Sequence, residues 1–343
     1  MPPLAPCICF LGLESRRDAR NMRRHMGTST AATFDPAPPW ITVAICTRNR
    51  AAVLREAVRS VLPQLGGDAE LLLVDNASTD ETAAWAQQCA ETDPRIRLLN
   101  HPEPGISHAR NRALAEARGS WVVFLDDDAT ARAGWLEAYR QFFKNPAVAR
   151  AAAVGGRVYP RYEAPPPVWI GARENLLDRG AQAAPFDERG APWACNLGVV
   201  RAIALQCGGF NPALGRKGKS LMSAEETELC HRLRRTGHEV WWLPQAEIDH
   251  RVAAERLTVP CLLRMMFCLG RSAALIRLQM TQGLWRRLAF RVLRLLLTPL
   301  HLLFYLVAGM AVLLCGRLCA AARLFFRSAR AAGFAYQLTL SCE

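Results

Sequence analysis

Three consecutive carboxylates, Asp126, Asp127 and Asp128, follow directly on the apolar run Trp121 to Leu125. Adjacent carboxylates repel one another and are costly to desolvate without a cation. At the end of a hydrophobic strand they suit a hard divalent ion such as Mg2+ or Mn2+, which takes one or two protein carboxylates and fills its shell with water and phosphate oxygens. Taken alone, the triplet fits equally a solvated acidic turn that caps the next helix. Its company decides. Thr47-Arg48-Asn49-Arg50 and Asp75 to Asp80 each end another apolar run, and His108, Arg110, Asn111 and Arg112 fall in the first turns of a helical stretch. Glu225 and Glu226 open a later helix, where a Glu pair is ordinary dipole complementation, and His250 alone reads as a surface or core histidine.

The elements that must position these residues follow from periodicity. Trp40 to Cys46 is a β-branched run typical of a strand buried on both faces, and from Ala51 to Leu62 apolar residues recur at helical spacing until Pro63 and Gly66-Gly67. The unit repeats: Glu70 to Val74 is a strand, Asp75 to Asp80 a polar loop and Glu81 to Ala90 a helix. Arg95 to Leu99 is a third strand, Ile106 to Arg118 a helix, and Trp121 to Leu125 a fourth strand that delivers the Asp triplet. Serial βα units predict a mostly parallel, Rossmann-like sheet flanked by helices, with ligands outside the carboxyl ends of its strands. The two polar loops, the triplet and the helix start bearing Arg110 therefore converge, and a nucleoside diphosphate is the economical ligand.

Further on, Gly134 to Phe143 is a helix, Ala151 to Tyr159 a strand with a Gly pair, and 160–192 a long Pro- and Gly-rich loop that suits either an acceptor pocket or a surface insertion. Trp193 to Val200 resumes apolar structure, Thr227 to Thr236 is a helix stopped by Gly237, and Val240 to Leu243 is a strand closed by Pro244. In the tail, Leu295 to Cys315 carries no charge and is long enough to span a bilayer, though Pro299, His301 and Gly309 interrupt it, while Val259 to Met280 reads as a membrane-surface helix. Arginines flank the apolar segment on both sides, so charge asymmetry gives no orientation. These features divide the chain into a basic, disordered leader (1–39), a catalytic domain (40–255) and a helical membrane-associated tail (256–343).

With 43 Lys+Arg against 30 Asp+Glu the formal charge is +13, which admits a nucleic acid, an anionic membrane or a phosphorylated substrate. The arginines crowd the leader and the flanks of the apolar tail rather than an aromatic-studded face, which argues against a nucleic-acid partner. Twelve Cys, none in a CxxC pair, read as small buried hydrophobes of a reducing compartment, with neither disulfides nor zinc.

The ordered series VAICTRNRAAVLREAVRSVLPQ, LLLVDNASTDET, PGISHARNRALAEARGSWVVFLDDDA and AEETELCHRLRRTGHEVWWLP, ending in His250, resembles the inverting family 2 glycosyltransferases over about residues 40–255. That resemblance implies a GT-A type α/β domain that transfers a hexose from a nucleotide-diphosphate sugar to a hydroxyl of a glycan or lipid-linked acceptor. It implies Asp128 as direct ligand to Mg2+ or Mn2+, and Asp126 on the ribose or a metal-bound water. His250 falls beside the metal or diphosphate, and Asp127, counted with Asp126 among the nucleotide-sugar-binding residues, is the replaceable middle of the triplet. Asp75, with Asn76, corresponds to the base-binding position, Thr47, Arg48 and Asn49 to the opposite wall, Arg110 to a diphosphate contact, and Asp80 to a structural residue. The general base maps onto Glu225-Glu226, where the sequence departs from the family by carrying Glu226 in place of Asp. The expected setting is the inner face of the cell membrane, with the catalytic domain in the cytoplasm. A nucleotidyltransferase and a degenerate, non-catalytic relative are the alternatives; the first would carry a Gly-rich phosphate loop near the first strand, and TRNR is not one.

Overall fold

The computed structural model describes residues 40–168, 176–188, 190–218, 220–281 and 283–340; the leader at 1–39 lies outside the described residues. In chain order the strands are β1 (Ile41–Thr47), β2 (Ala69–Asp75), β3 (Ile96–Asn100), β4 (Trp121–Leu125), β5 (Ala129–Ala131), β6 (Ala151–Tyr162), β7 (Ala184–Pro185), β8 (Asn196–Val200) and β9 (Glu239–Val252). The α-helices are α1 (Ala51–Val61), α2 (Thr82–Thr92), α3 (Ile106–Glu116), α4 (Trp135–Lys144), α5 (Arg201–Gln206), α6 (Glu225–Arg235), α7 (Val259–Met280), α8 (Leu284–Leu314) and α9 (Leu318–Leu340).

All nine described strands join one sheet of order β3-β2-β1-β4-β8-β6-β9-β5, with β7 attached to β9. The first half is parallel, as βα repetition requires: β1 pairs with β2 from Ile41↔Ala69 to Thr47↔Asp75, and with β4 from Ile41↔Trp121 to Ala44↔Phe124. In-register pairing brings the carboxyl ends of β1, β2 and β4 to one edge, and β1 lies between the two later strands, where a ligand crevice opens. The second half is mixed, because β8 runs antiparallel to both β4 and β6. Every residue of β1 and β2 is buried, as in a strand covered on both faces, and apart from Thr42 and Glu70 both strands are apolar until the polar residue that ends each.

A buried network locks the opposite edge. Glu70 accepts from Thr42 Oγ1 at 2.7 Å, from Arg97 at 2.9 Å and from the Arg118 amide at 2.9 Å. A Cβ on Gly119 would lie 2.5 Å from the Thr42 amide nitrogen, so the chain reaches β4 there only as glycine.

Three boundaries differ from expectation. The α3 helix stops at Glu116, because Ala117 turns to an extended ψ of 138° ahead of Gly119. Residues Arg201–Gln206 form a short helix that the sequence does not announce. Pro244 does not close a strand: β9 passes through it, and the pairing shifts from Gly156↔Leu243 to Val158↔Ile248. The extra residues there form a bulge in which the missing Pro N–H costs no ladder bond. A Cβ on Gly156 would lie 1.9 Å from the Ala246 carbonyl oxygen, which explains the glycine.

In the tail, the apolar helix is longer than the uncharged segment alone: α8 runs unbroken from Leu284 to Leu314 through Pro299. The helices α7 and α8 are both long and apolar enough to cross a membrane. On α8, Leu296, Leu300, Leu303, Phe304 and Val307 form one exposed stripe at helical spacing. The α7 and α9 helices pack closely, since a Cβ on Gly270 would lie 1.9 Å from the Arg330 carbonyl oxygen and one on Gly333 1.9 Å from that of Phe267.

Candidate active site

The carboxyl edge of the sheet opens into a cavity of about 1260 Å3 that Thr47 to Arg50, the Asp triplet, Glu225, Glu226 and His250 all line. His250 arrives through sheet pairing: β5 and β9 are antiparallel with Ala129 opposite His250, and the Arg251 amide donates to the Asp128 carbonyl at 2.8 Å. The imidazole Nε2 then lies 3.3 Å from Asp128 Oδ1. Its Nδ1 is buried and meets no hydrogen-bond partner among the described residues.

The three aspartates have different surroundings. Asp127 is not an idle spacer: it is buried, accepts from Thr47 Oγ1 at 2.8 Å and pairs with Arg50 at 2.8 Å. Burial pushes its carboxyl up to about 6, against the pull of Arg50. Asp128 is also buried, and there burial is outweighed by His250, Arg256 and Arg50, so its carboxyl is held below the usual range. Arg256 reaches it at 3.2 Å and Arg50 at 3.1 Å. Asp126 is the open member; one oxygen accepts from Arg110 at 2.7 Å.

Arg110 lines the cavity and is held by carboxylates on two sides. The residue is 3% exposed, and its guanidinium bridges Asp126 to Glu225. Burial opposes its charge, yet Asp126 and Glu225 overcome that and hold it above its ordinary value. Its helix neighbours turn elsewhere: His108 meets Glu103, Asn111 bonds the backbone of Phe210, and Arg112 pairs along the surface with Glu116.

The polar loops after β1 and β2 are clasped together. Asn49, in the left-handed region at φ 53°, donates its amide to Ser78 Oγ and accepts the Thr79 amide on its side chain. Asn76 spends its side chain on the following turn, donating to the Glu103 carbonyl and accepting from the Gly105 amide. Asp80 accepts the Thr82 amide at 3.0 Å and starts α2. Asp75 differs: Oδ2 accepts from the Ser78 amide, while Oδ1 is buried with no donor among the described residues. A buried carboxylate oxygen without a donor is costly, and the N–H of a nucleotide base would satisfy it. Arg48 lines the cavity in the open.

Glu225 and Glu226 begin α6 immediately after Ala224, which is itself left-handed at φ 78°. The two differ in role. Glu225 is held by Arg110 through Oε1, leaving Oε2 buried without a partner among the described residues. Burial, reinforced by the charge of Glu225, pushes the Glu226 carboxyl up to about 7. A carboxylate poised near neutrality suits a general base.

Four further residues join the site without a signal in the sequence. Cys195 is buried, as expected of a small hydrophobe, and lies where its Sγ, an Asp126 oxygen and a His250 nitrogen all fall within 4.8 Å of one another. It is held there by Asn196, fully buried, which accepts from Trp135 at 2.9 Å and Tyr139 at 2.8 Å and donates to the Ala246 carbonyl at 2.7 Å. Arg216 and Arg256 line the cavity, from a glycine-flanked loop and from the turn after β9. The eight cysteines described are all free thiols.

The donor set fits a divalent ion: carboxylates from Asp126 and Asp128, an imidazole with an unused buried nitrogen, and a thiol, gathered from three separate strand ends. Within the expected loop at 160–192, Tyr162, Leu176 and Ala191 line the same cavity, so this segment contributes to a wall, while 169–175 lies outside the described residues.

Residues 42–196 match the model of the family described as Glycosyl transferase family 2. The chain is 28% identical over 249 residues to a glucosyl-dolichyl phosphate glucuronosyltransferase of Haloferax volcanii, covering 71% of this chain and 79% of that protein. It is 30% identical over 235 residues to a pre-mycofactocin glycosyltransferase of Mycobacterium tuberculosis, covering 64% of this chain but only 46% of that one. In structure it is similar to a mannosyltransferase from Pyrobaculum calidifontis solved with GDP-Man and Mn2+, at a TM-score of 0.60 and 20% identity over 90% of this chain and 91% of that one. That likeness identifies the fold as GT-A type.

Proposed function

We propose that this chain, whose residues 42–196 match the model of Glycosyl transferase family 2, transfers a sugar with inversion from a nucleotide-diphosphate sugar to a hydroxyl of a lipid-linked or cell-surface glycan at a membrane. The observation that carries the reading is the meeting of the Asp126, Cys195 and His250 donor atoms in one cavity with Glu226. Mn2+-bearing structural neighbours and a relative named for a dolichyl phosphate substrate support it.

On this reading Asp75 takes the base, with Thr47, Arg48 and the clasped Asn49-Ser78 loops around it. Asp126, Asp128, His250 and Cys195 hold Mg2+ or Mn2+, which when bound supplies positive charge to the departing diphosphate. Arg216 and Arg256 add cations around the same phosphates. Glu226 takes the proton from the acceptor hydroxyl as the new C–O bond forms at the anomeric carbon and the bond to the diphosphate breaks on the opposite face. Arg110 holds Glu225 in place through their ion pair, so that Glu225 positions rather than reacts. Helices α7 and α9 of the tail close a wall of the cavity that the catalytic residues line, and the exposed stripe of α8 meets the membrane.

The test is release of nucleoside diphosphate from a panel of UDP- and GDP-sugars by the full chain in membranes. Release that needs Mn2+ or Mg2+, stops with chelator and disappears in Asp126→Ala supports the reading; release indifferent to chelator contradicts it.

A further inference from the structure

The cavity does not end at the transfer site. Its far wall comes from the tail: Leu262, Met265, Met266 and Leu269 of α7 line one side, and Arg323, Arg327 and Arg330 of α9 line another. The three arginines stand at helical spacing and are exposed, and none pairs with a carboxylate among the described residues. By contrast, Arg50, Arg110 and Arg256, which line the same cavity, are each bound to the acidic groups. The cavity thus holds arginines already engaged with the acidic groups and, on α9, a row of three with no carboxylate partner among the described residues.

We infer that the α7–α9 wall is a binding site for the acceptor, and that it recognises a lipid-linked sugar by the phosphate joining sugar to lipid. Guanidinium groups form charge-assisted, often bidentate bonds to phosphate oxygens. The half-buried leucines and flexible methionines beside them suit a long, irregular apolar chain. Continuity with α7, itself long and apolar enough to cross a bilayer, gives that chain a route out of the membrane. The close approach at Gly270 and Gly333 fixes α9 against α7 and so sets the distance between arginines and apolar wall. The inference rests on the reading of Glu226 as the base at a transfer site, which the sugar hydroxyl of such an acceptor would reach while its phosphate is held on α9.

Binding of farnesyl phosphate to the full chain in phosphatidylcholine nanodiscs tests it, with farnesol as comparator. The expected result is affinity at least tenfold tighter for the phosphate than for the alcohol. The triple variant Arg323→Gln/Arg327→Gln/Arg330→Gln should lose at least tenfold of it, and Arg327→Gln alone at least threefold. The stabilisation given by nucleoside diphosphate with Mn2+ should persist in the same samples, which also reports that the variants are folded. Gly270→Leu, which pushes the helices apart, should weaken farnesyl phosphate and leave the donor response. Equal affinity for farnesol, or unchanged affinity in the triple variant, overturns the inference. So does a loss confined to binding of phosphatidylglycerol vesicles, which would make the stripe a general headgroup contact. Because the donor response is read separately, failure of this site is distinguishable from failure of the glycosyl-transfer reading.

Discussion

Arg110 and Glu225 stand 115 positions apart in the chain and form a buried ion pair in the structure. Since the same guanidinium also holds Asp126, it joins the triplet to the acidic start of α6. The charge of the site is thereby arranged before any ligand arrives.

Removing that charge leaves two carboxylates facing each other. Arg110→Met should cost about 3 to 5 kcal/mol of stability, the usual penalty for breaking a buried pair from one side. Chemical denaturation measures it. Arg110→Lys should recover part of the stability but less of the activity, because an ammonium cannot span both carboxylates in the plane of a fork.

The raised carboxyl of Glu226 gives a pH dependence with a definite sign. As a base it works when deprotonated, so turnover should climb as pH rises through about 7. Its proton is held more tightly in the folded chain than in the unfolded one, so its contribution to stability is present at low pH and is lost between the ordinary value of 4.5 and about 7. Glu226→Gln should flatten the pH–rate profile, lower turnover about 10²- to 10⁴-fold and leave donor affinity in place. It should also gain stability relative to the parent at pH 8 more than at pH 4. A parallel fall in donor affinity would move the base elsewhere.

Cys195 predicts a metal preference. A sulfur donor among carboxylates favours softer ions, so Cys195→Ser should weaken Cd2+ binding at least tenfold while changing Mn2+ binding much less. Calorimetric titration separates the two ions. Equal losses, or none, would return Cys195 to packing.

Asn196 predicts a structural loss. Replacement by Ala strips acceptors from Trp135 and Tyr139 and a donor from Ala246 in a region without water access, at a cost of about 3 kcal/mol. The bulge of β9 and the position of Cys195 should loosen together, seen as faster amide exchange at both.

The parallel half of the sheet was legible because β1, β2 and β4 are predominantly apolar runs, each ending in polar residues whose shared edge follows from βα repetition. The triplet and Glu225-Glu226 were legible as charged groups where charge needs a reason. What stayed hidden depends on long-range pairing. That His250 meets Asp128 is set by three residue pairs between β5 and β9, and β5 is too short to carry a period. Passage of β9 through Pro244 depends on a bulge that only its partner strand reveals. Arg110 looked like an anion contact from its helix position, and its burial against two carboxylates is a tertiary fact. Cys195 was one apolar residue among many until Asn196 fixed where it points.

The most direct measurement is the thermal stability of the full chain with GDP or UDP, with and without Mn2+, in the parent and in Asp126→Ala. A nucleoside diphosphate at a hundredfold excess over its Kd contributes about 2.7 kcal/mol, which moves a domain of this size by a few degrees. The account predicts such a shift only when nucleotide and Mn2+ are present together, and its loss in Asp126→Ala. A shift of equal size without metal, or one that survives Asp126→Ala, would contradict it.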